Sequence, residues 1–330
     1  MAFGIRRREL IFGLGSAALA WPQPAPAQQP AMPVIGFLSP GSAESDVARL
    51  AGVRQGLKES GYVEGQNVAI EYRFAHGQND RLAVLAADLI ARRVAGMVTA
   101  GTPATLAAKA ATATIPIVFN SGVDPVQFGL AASLNRPGGN LTGVVILSAD
   151  LAAKKLEVLH ELLPNAAVVA TLVNPANPVA EPESRGTQDG ARSLGVQLHV
   201  LSASTEGEID AAFASLAKLR ARALVVSDDS YFLNQRAQLI SLAARHAVPT
   251  IYGWREFPVA GGLMSYGTDL ADAYRQVGLY AGKILKGIRP ADLPVQEVAK
   301  IEMVINLKTA KLLGITFPLP LIGRADEVIE

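Results

Sequence analysis

The chain has 330 residues, half of them hydrophobic, with 18% charged residues and a formal net charge of +1. That length supports a large core and suggests about two domains, while the balanced charge and only 6% aromatic residues argue against a nucleic-acid surface or a base-stacking platform. Cysteine is absent, which excludes disulfides, thiol nucleophiles and cysteine-based metal sites.

The N-terminus carries three consecutive arginines, Arg6 to Arg8, then an apolar run over 10–20 and Ala25-Pro26-Ala27. This is the order of a secretory signal, with cleavage near Ala27 and export to the periplasm. The arginines give it a twin-arginine look, and the general secretory route stays open. The apolar run is too short to cross a bilayer as a mature helix. A lipoprotein anchor needs a cysteine at the cleavage site. Residues 1–27 are therefore expected to stand outside the fold. The glycines Gly13 and Gly15 superficially suggest a dinucleotide fingerprint, but they lie inside this segment with no strand before them.

From residue 33 the pattern alternates. Strands are expected at 34–39, 67–75, 95–101, 115–120 and 141–147, with helices at 46–61, 80–94 and 103–112 between them. A second set follows, with helices at 151–164, 181–195, 206–220 and 232–246. Its strands are at 167–174, 196–203, 221–229 and 248–253. An extended run at 261–267, a long helix at 270–287, a tail strand at 294–306 and a last helix at 307–314 complete the chain. Apolar strands alternating with helices predict parallel sheets covered on both faces. Two sets of similar size predict an α/β protein of two Rossmann-like, doubly wound lobes around a cleft. The first lobe is expected at 33–145 plus about 266–288, the second at about 146–265 plus 289–330, with several crossings between them.

In such sheets ligands bind beyond the carboxyl ends of the strands. Ser39 and Ser42, the Gly101-Thr102-Pro103 turn, Asn174 to Pro178, and Asp228-Asp229 all fall there. Thr102 reads as an N-cap with Pro103 at the first helical position, so this helix start would favour an anion. The stretch lacks the lysine and extra glycines of a phosphate loop. Ser39 and Ser42 suit a turn and an N-cap, with no identifiable base to make them nucleophiles. Asp228-Asp229 offers a carboxylate pair for acid–base or metal work. Adjacent residues at a strand end rarely aim at one point, which favours ligand hydrogen bonding or helix capping. Asp124 suits a short turn or the cleft, and Tyr266 a hinge or a cleft wall. Trp254 suits the cleft or the core, and Arg255 and Glu256 suggest an ion pair at the lobe junction. The four histidines are scattered, and no catalytic signature is present, so no cofactor, metal or enzymatic activity is expected.

The segments "MPVIGFLSPGS", "GLKESGYVEGQNVAIEYRFAHGQNDRL", "GTPATLAAKAATATIPIVF", "DPVQFGLAASLNRPGGNLTGV", "LVNPANP" and "GGLMSYGTDLADAYRQVGLYAGKILKG" together resemble the ABC transporter substrate-binding proteins of the TrpX-like family. The resemblance runs from about residue 33 to 330. It implies a type I periplasmic-binding-protein fold whose lobes, joined by three crossovers, close on a ligand. In that pattern Ser39, Ser42, Thr102 and Ala104 take a carboxylate, while Asn174 and Asp228 or Asp229 take an amino group. Pro40-Gly41 departs from the bulkier first loop of many amino-acid binders. The implied function is an extracytoplasmic receptor, monomeric, for a small polar or zwitterionic solute, amino acids among them, serving membrane permease subunits. The rival readings are an exported two-lobed enzyme and a ligand-sensing partner of a membrane kinase.

Overall fold

Apolar, β-branched runs bounded by Gly, Pro and Asn become strands, and amphipathic stretches become the covering helices. The computed structural model describes Met1, residues 32–146, 148–298 and 300–330. The expected signal segment lies, Met1 apart, outside the described residues. Along the chain, β1 (Val34–Ser39), α1 (Val47–Glu59), β2 (Ala69–Phe74), α2 (Leu82–Ala91), β3 (Gly96–Ala100), α3 (Gly101–Ala111), β4 (Ile117–Ser121) and β5 (Leu141–Val145) form the first set. Then follow α4 (Ser148–Leu162), β6 (Val168–Val173), α5 (Ala180–Leu194), β7 (Gln197–Ser202), α6 (Glu206–Leu219) and β8 (Leu224–Val226). After them come α7 (Ser230–Asn234), α8 (Arg236–Arg245), β9 (Thr250–Tyr252), α9 (Glu256–Val259) and β10 (Met264–Thr268). The last elements are α10 (Leu270–Leu285), β11 (Gln296–Glu297), β12 (Ile301–Asn306), α11 (Leu307–Leu312), α12 (Leu319–Ile322) and β13 (Glu327–Ile329). Among the described residues no helix is long and apolar enough to cross a membrane.

The strands make two sheets, in the orders β11-β5-β4-β3-β1-β2 and β13-β12-β10-β9-β8-β6-β7. All pairs are parallel except β10 with β12, whose register sets Tyr266 opposite Met303. The strand order reverses at β1 in the first sheet and at β6 in the second, where the crevices of such sheets open.

The late segments differ from the expected division. Tyr266 belongs to β10 of the second sheet, so the chain crosses back only after Thr268. The expected tail strand at 294–306 is two strands in different sheets. Gln296–Glu297 pairs with β5, and Ile301–Asn306 pairs with β10 and β13. Alternation alone reads both pieces as one strand, because it carries no information about which sheet accepts them. Backbone bonds stitch the crossings together, with Val298 N–H donating to the Val145 carbonyl at 3.0 Å and Asp269 N–H to that of Lys300 at 3.3 Å.

The core of the first lobe lies on both sides of its sheet. Leu38, Leu89, Ala104 and Phe119 fill the side of α2 and α3. Phe37, Val53, Leu57 and Val277 fill the side of α1 and α10, in a cluster that continues into Phe213, Leu224 and Phe232 of the second lobe. Leu156, Val169, Ile251 and Ile305 pack the other side of the second sheet.

α1 and α10 meet through glycines. A Cβ on Gly56 would overlap the Arg275 carbonyl oxygen, and one on Gly278 would overlap that of Val53. Gly56→Ala should therefore destabilise the protein by about 1–3 kcal/mol in denaturant unfolding, despite alanine's higher helix propensity. Asp269 N-caps α10, its Oδ1 accepting from Asp272 N–H at 3.1 Å, while Oδ2 accepts from Lys300 Nζ at 2.6 Å. Lys300 is largely exposed, so the cap dominates. Asp269→Ala should cost about 1 kcal/mol in the same measurement, and Lys300→Ala much less.

Candidate functional site

The carboxyl ends of the two sheets face one another across a cleft. The first-lobe wall comes from the ends of β1, β3 and β4. At the end of β1, Ser39 is buried and its Oγ accepts from Gly41 N–H at 2.9 Å. Ser42 and Ser45 exchange backbone-to-hydroxyl bonds at 2.9 and 3.2 Å, so Ser42 closes a turn. It does not cap α1, whose N-cap is Asp46, without a side-chain cap bond.

Thr102 departs from the expected N-cap. α3 begins two residues earlier, at Gly101, with Ala100 as its N-cap. Gly101 takes φ +81°, a left-handed conformation that opens the helix directly off the strand end. The Thr102 hydroxyl instead shares a hydrogen bond with Ser121 Oγ at 3.0 Å and accepts from Gly122 N–H at 3.2 Å, tying α3 to the end of β4. With this start the Ala104 N–H pairs with the Ala100 carbonyl by helix geometry, and the Ala104 side chain is core. By helix geometry the N–H groups of Gly101 and Thr102 have no partner within α3, Pro103 having none, and the Gly101 backbone hydrogen-bonds the Tyr274 side chain.

Two buried donors complete this wall. Asn120, the last-but-one residue of β4, has an Nδ2 with no partner. Arg49, 3% exposed, pairs with Asp46, but its Nε has no partner. Burial opposes its charge most, yet Asp46, Tyr274 and Glu256 together hold the guanidinium above its ordinary value. Asn120, Arg49, Gly101 and Thr102 all line the cleft. The first lobe thus presents unpaired N–H groups, suited to an anion.

The second-lobe wall is acidic. Asp229 N-caps α7, its Oδ1 accepting from Tyr231 N–H at 2.7 Å and Phe232 N–H at 3.2 Å. It also accepts from Asn174 Nδ2 at 3.2 Å and Asn177 Nδ2 at 2.6 Å. Burial pushes its carboxyl up against the pull of these four bonds. Asn174 therefore supports Asp229, while Asn177 and both aspartates line the cleft. Asp228 Oδ1 accepts from the fully buried Lys155 Nζ at 2.6 Å. Among the described residues no protein donor reaches its Oδ2. Around these polar groups stand three rings, Trp254, Tyr274 and Tyr231.

The two walls touch. Asn79 Nδ2 donates to the Ala176 carbonyl at 3.2 Å, and the Arg49 guanidinium lies 5.1 Å from the Trp254 ring centre. The space between them is narrow, with a cavity volume of ≈ 40 Å³. Of the expected residues Thr102, Asp228 and Asp229 line this space, Ser39, Ser42, Ala104 and Asn174 lie behind its walls, and two lie elsewhere. Asp124 Oδ1 accepts from Val126 and Gln127 N–H in a turn, facing a separate depression beside α4 and α5. Tyr266 packs against the core of the second lobe. Arg255 does not pair with Glu256 but with Glu302 and Glu327, joining β12 and β13.

Sequence reading missed Arg49, Asn120, Tyr274 and Lys155. Asn120 carried a usable signal, as the polar end of an apolar strand. The other three sit inside amphipathic helices, where nothing in the pattern separates a cleft residue from a packed one.

The family model for ABC transporter substrate binding protein matches residues 34–329. A tyrosine-binding protein of Clostridioides difficile (strain R20291) is 27% identical over 263 residues, 79% of this chain and 75% of that protein. A conserved domain protein from Vibrio cholerae superimposes with a TM-score of 0.84 at 27% identity, over 90% of this chain and 99% of that one. The ABC domain of Streptococcus pneumoniae, solved in complex with L-Trp, gives 0.83 at 26% identity with the same coverages. Together with the paired parallel sheets of the type I periplasmic-binding-protein fold, the family match shows that this chain belongs to the ABC transporter substrate-binding proteins.

Proposed function

We propose that this protein is an extracytoplasmic receptor for an aromatic amino acid, which it delivers to a membrane permease. The observation that carries this reading is the division of labour across the cleft: unpaired donors on one lobe, carboxylates on the other, rings between. A zwitterion's carboxylate would meet the Thr102 N–H and Asn120 Nδ2. Its ammonium would meet Asp228 Oδ2, and its ring would lie among Trp254, Tyr231 and Tyr274. The tyrosine-binding relative and the L-Trp complex support the same ligand class. The secretory pattern of residues 1–27 supports the location.

The mechanism follows from the narrow space. The lobes open to admit ligand and close because ligand touches both, since only differential contact shifts such an equilibrium. Each aligned buried hydrogen bond adds about 1 kcal/mol and each charged one about 1.5–3 kcal/mol. With burial of a ring these reach micromolar affinity, about −8 kcal/mol.

Calorimetry on the mature protein should show binding of L-tyrosine, L-tryptophan or L-phenylalanine in the micromolar range. Sugars and dicarboxylates should give no heat. Asn120→Ala should weaken binding about 5- to 10-fold, and Asp228→Asn about 10- to 100-fold, with the fold retained. Absence of binding by all three aromatic amino acids would reject this ligand class. Unchanged affinity in both variants would place the site elsewhere.

A further inference from the structure

Beneath the acidic wall three ionisable side chains from three elements meet in the interior. Lys155 comes from α4, Glu183 from α5 and Asp228 from the end of β8. Lys155 is fully buried and Glu183 is 1% exposed. Lys155 Nζ donates to Asp228 Oδ1 at 2.6 Å and reaches the Val226 carbonyl at 3.5 Å. Glu183 Oε2 accepts from the Asp228 backbone N–H at 3.0 Å. Glu183 Oε1 is buried without a hydrogen-bond partner. Between them Lys155 and Glu183 hold Asp228 by its side chain and its backbone, and Gly253 leaves the room this needs: a Cβ there would overlap Asp228 Oδ1.

The charges do not balance. The groups facing Glu183 are Lys155 from α4, and Asp228 and Asp229 from the segment after β8. One ammonium compensates one carboxylate, and a second ionised carboxylate would stand uncompensated in a buried site. Asp228 has Lys155, and Asp229 has its four hydrogen bonds. Glu183 has one backbone donor only, so it is the carboxyl that keeps a proton.

Building on the aromatic amino-acid reading, we propose that Lys155 and Glu183 are positioning residues for Asp228, and that the proton on Glu183 sets how strongly Asp228 draws a ligand's ammonium group. With Glu183 neutral, Lys155 largely offsets Asp228. When Glu183 ionises, the trio becomes net negative and the cation is held more tightly. The transition falls in an accessible range, because burial, reinforced by Asp228, pushes the Glu183 carboxyl up to about 8.

The test compares wild type with Glu183→Gln, which keeps the shape and the acceptor for the Asp228 N–H. Binding of L-tyrosine and L-tryptophan is measured from pH 6 to 8.5. Both proteins should bind alike at pH 6, with wild type gaining about three- to tenfold over Glu183→Gln by pH 8.5. Titration of the ligand's own amino group cancels in this ratio. Parallel pH profiles would overturn the proposal.

Unliganded stability gives a second readout. A carboxyl raised above its ordinary value of 4.5 favours folding below that value, and its contribution is lost as pH climbs through about 8. Wild type should therefore lose melting temperature relative to Glu183→Gln between pH 5 and 8. A third readout needs wild type alone. With carbon-13-labelled glutamate, the Glu183 carboxyl should titrate well above the ordinary glutamate value of 4.5, and titration in the ordinary range would overturn the proposal even if the variant fails to fold. If neither amino acid binds wild type, the ligand reading falls, while these last two measurements still decide whether the trio holds a proton.

Discussion

The contact between α1 and α10 is the constraint on which the two-lobed arrangement rests. α10 follows β10 of the second sheet yet packs on the first lobe, backbone against backbone at Gly52, Gly56 and Gly278. Such an approach tolerates no side chain, and it commits the chain to leave the second sheet after Thr268 and return to it at Ile301. β11 then pairs with the edge of the first sheet, and β12 enters the second antiparallel to β10. Each lobe is completed by residues that come late in the chain, so neither can form from one continuous half. The crossings stay close enough to share backbone hydrogen bonds.

The same topology builds the cleft. Leu270 and Tyr274 line it because α10 starts at the crossing. Trp254, from the turn after β9, meets Arg49 of α1 across the interface. A cation against a ring is worth roughly 0.5–2 kcal/mol, more when desolvated. This contact and the Asn79 bond to Ala176 bias the lobes toward each other, but modestly. A ligand touching both walls can decide the balance.

Most buried polar groups of the interior are bonded, while some of the unbonded ones face the cleft and one marks a proton. Asp229 shows the first case, as a carboxylate whose four donors come from two asparagines and two backbone groups. Asn120 and Arg49 show the second, with free N–H groups at the cavity. Glu183 shows the third. Satisfied groups fix the loops.

Much of this was legible in the sequence. Alternation and turn residues placed most strands and helices within a few residues, though not α9, α12, β13 or the break between α7 and α8, and strand ends pointed to Ser39, the Gly101 turn, Asn174 and Asp228-Asp229 as cleft neighbours. Local chemistry was less reliable in detail. Thr102 has the residue type of a cap, but the left-handed freedom of Gly101 starts the helix earlier and releases the hydroxyl to Ser121. What the sequence by itself determined is the set of elements and their polar ends, because backbone preference and hydrophobic period act over short spans. Only the tertiary structure decided that 294–306 divides between two sheets and that Tyr266 packs away from the cleft. It alone brought Lys155, Glu183 and Asp228 together, because such contacts join segments tens of residues apart and depend on packing that no local period encodes.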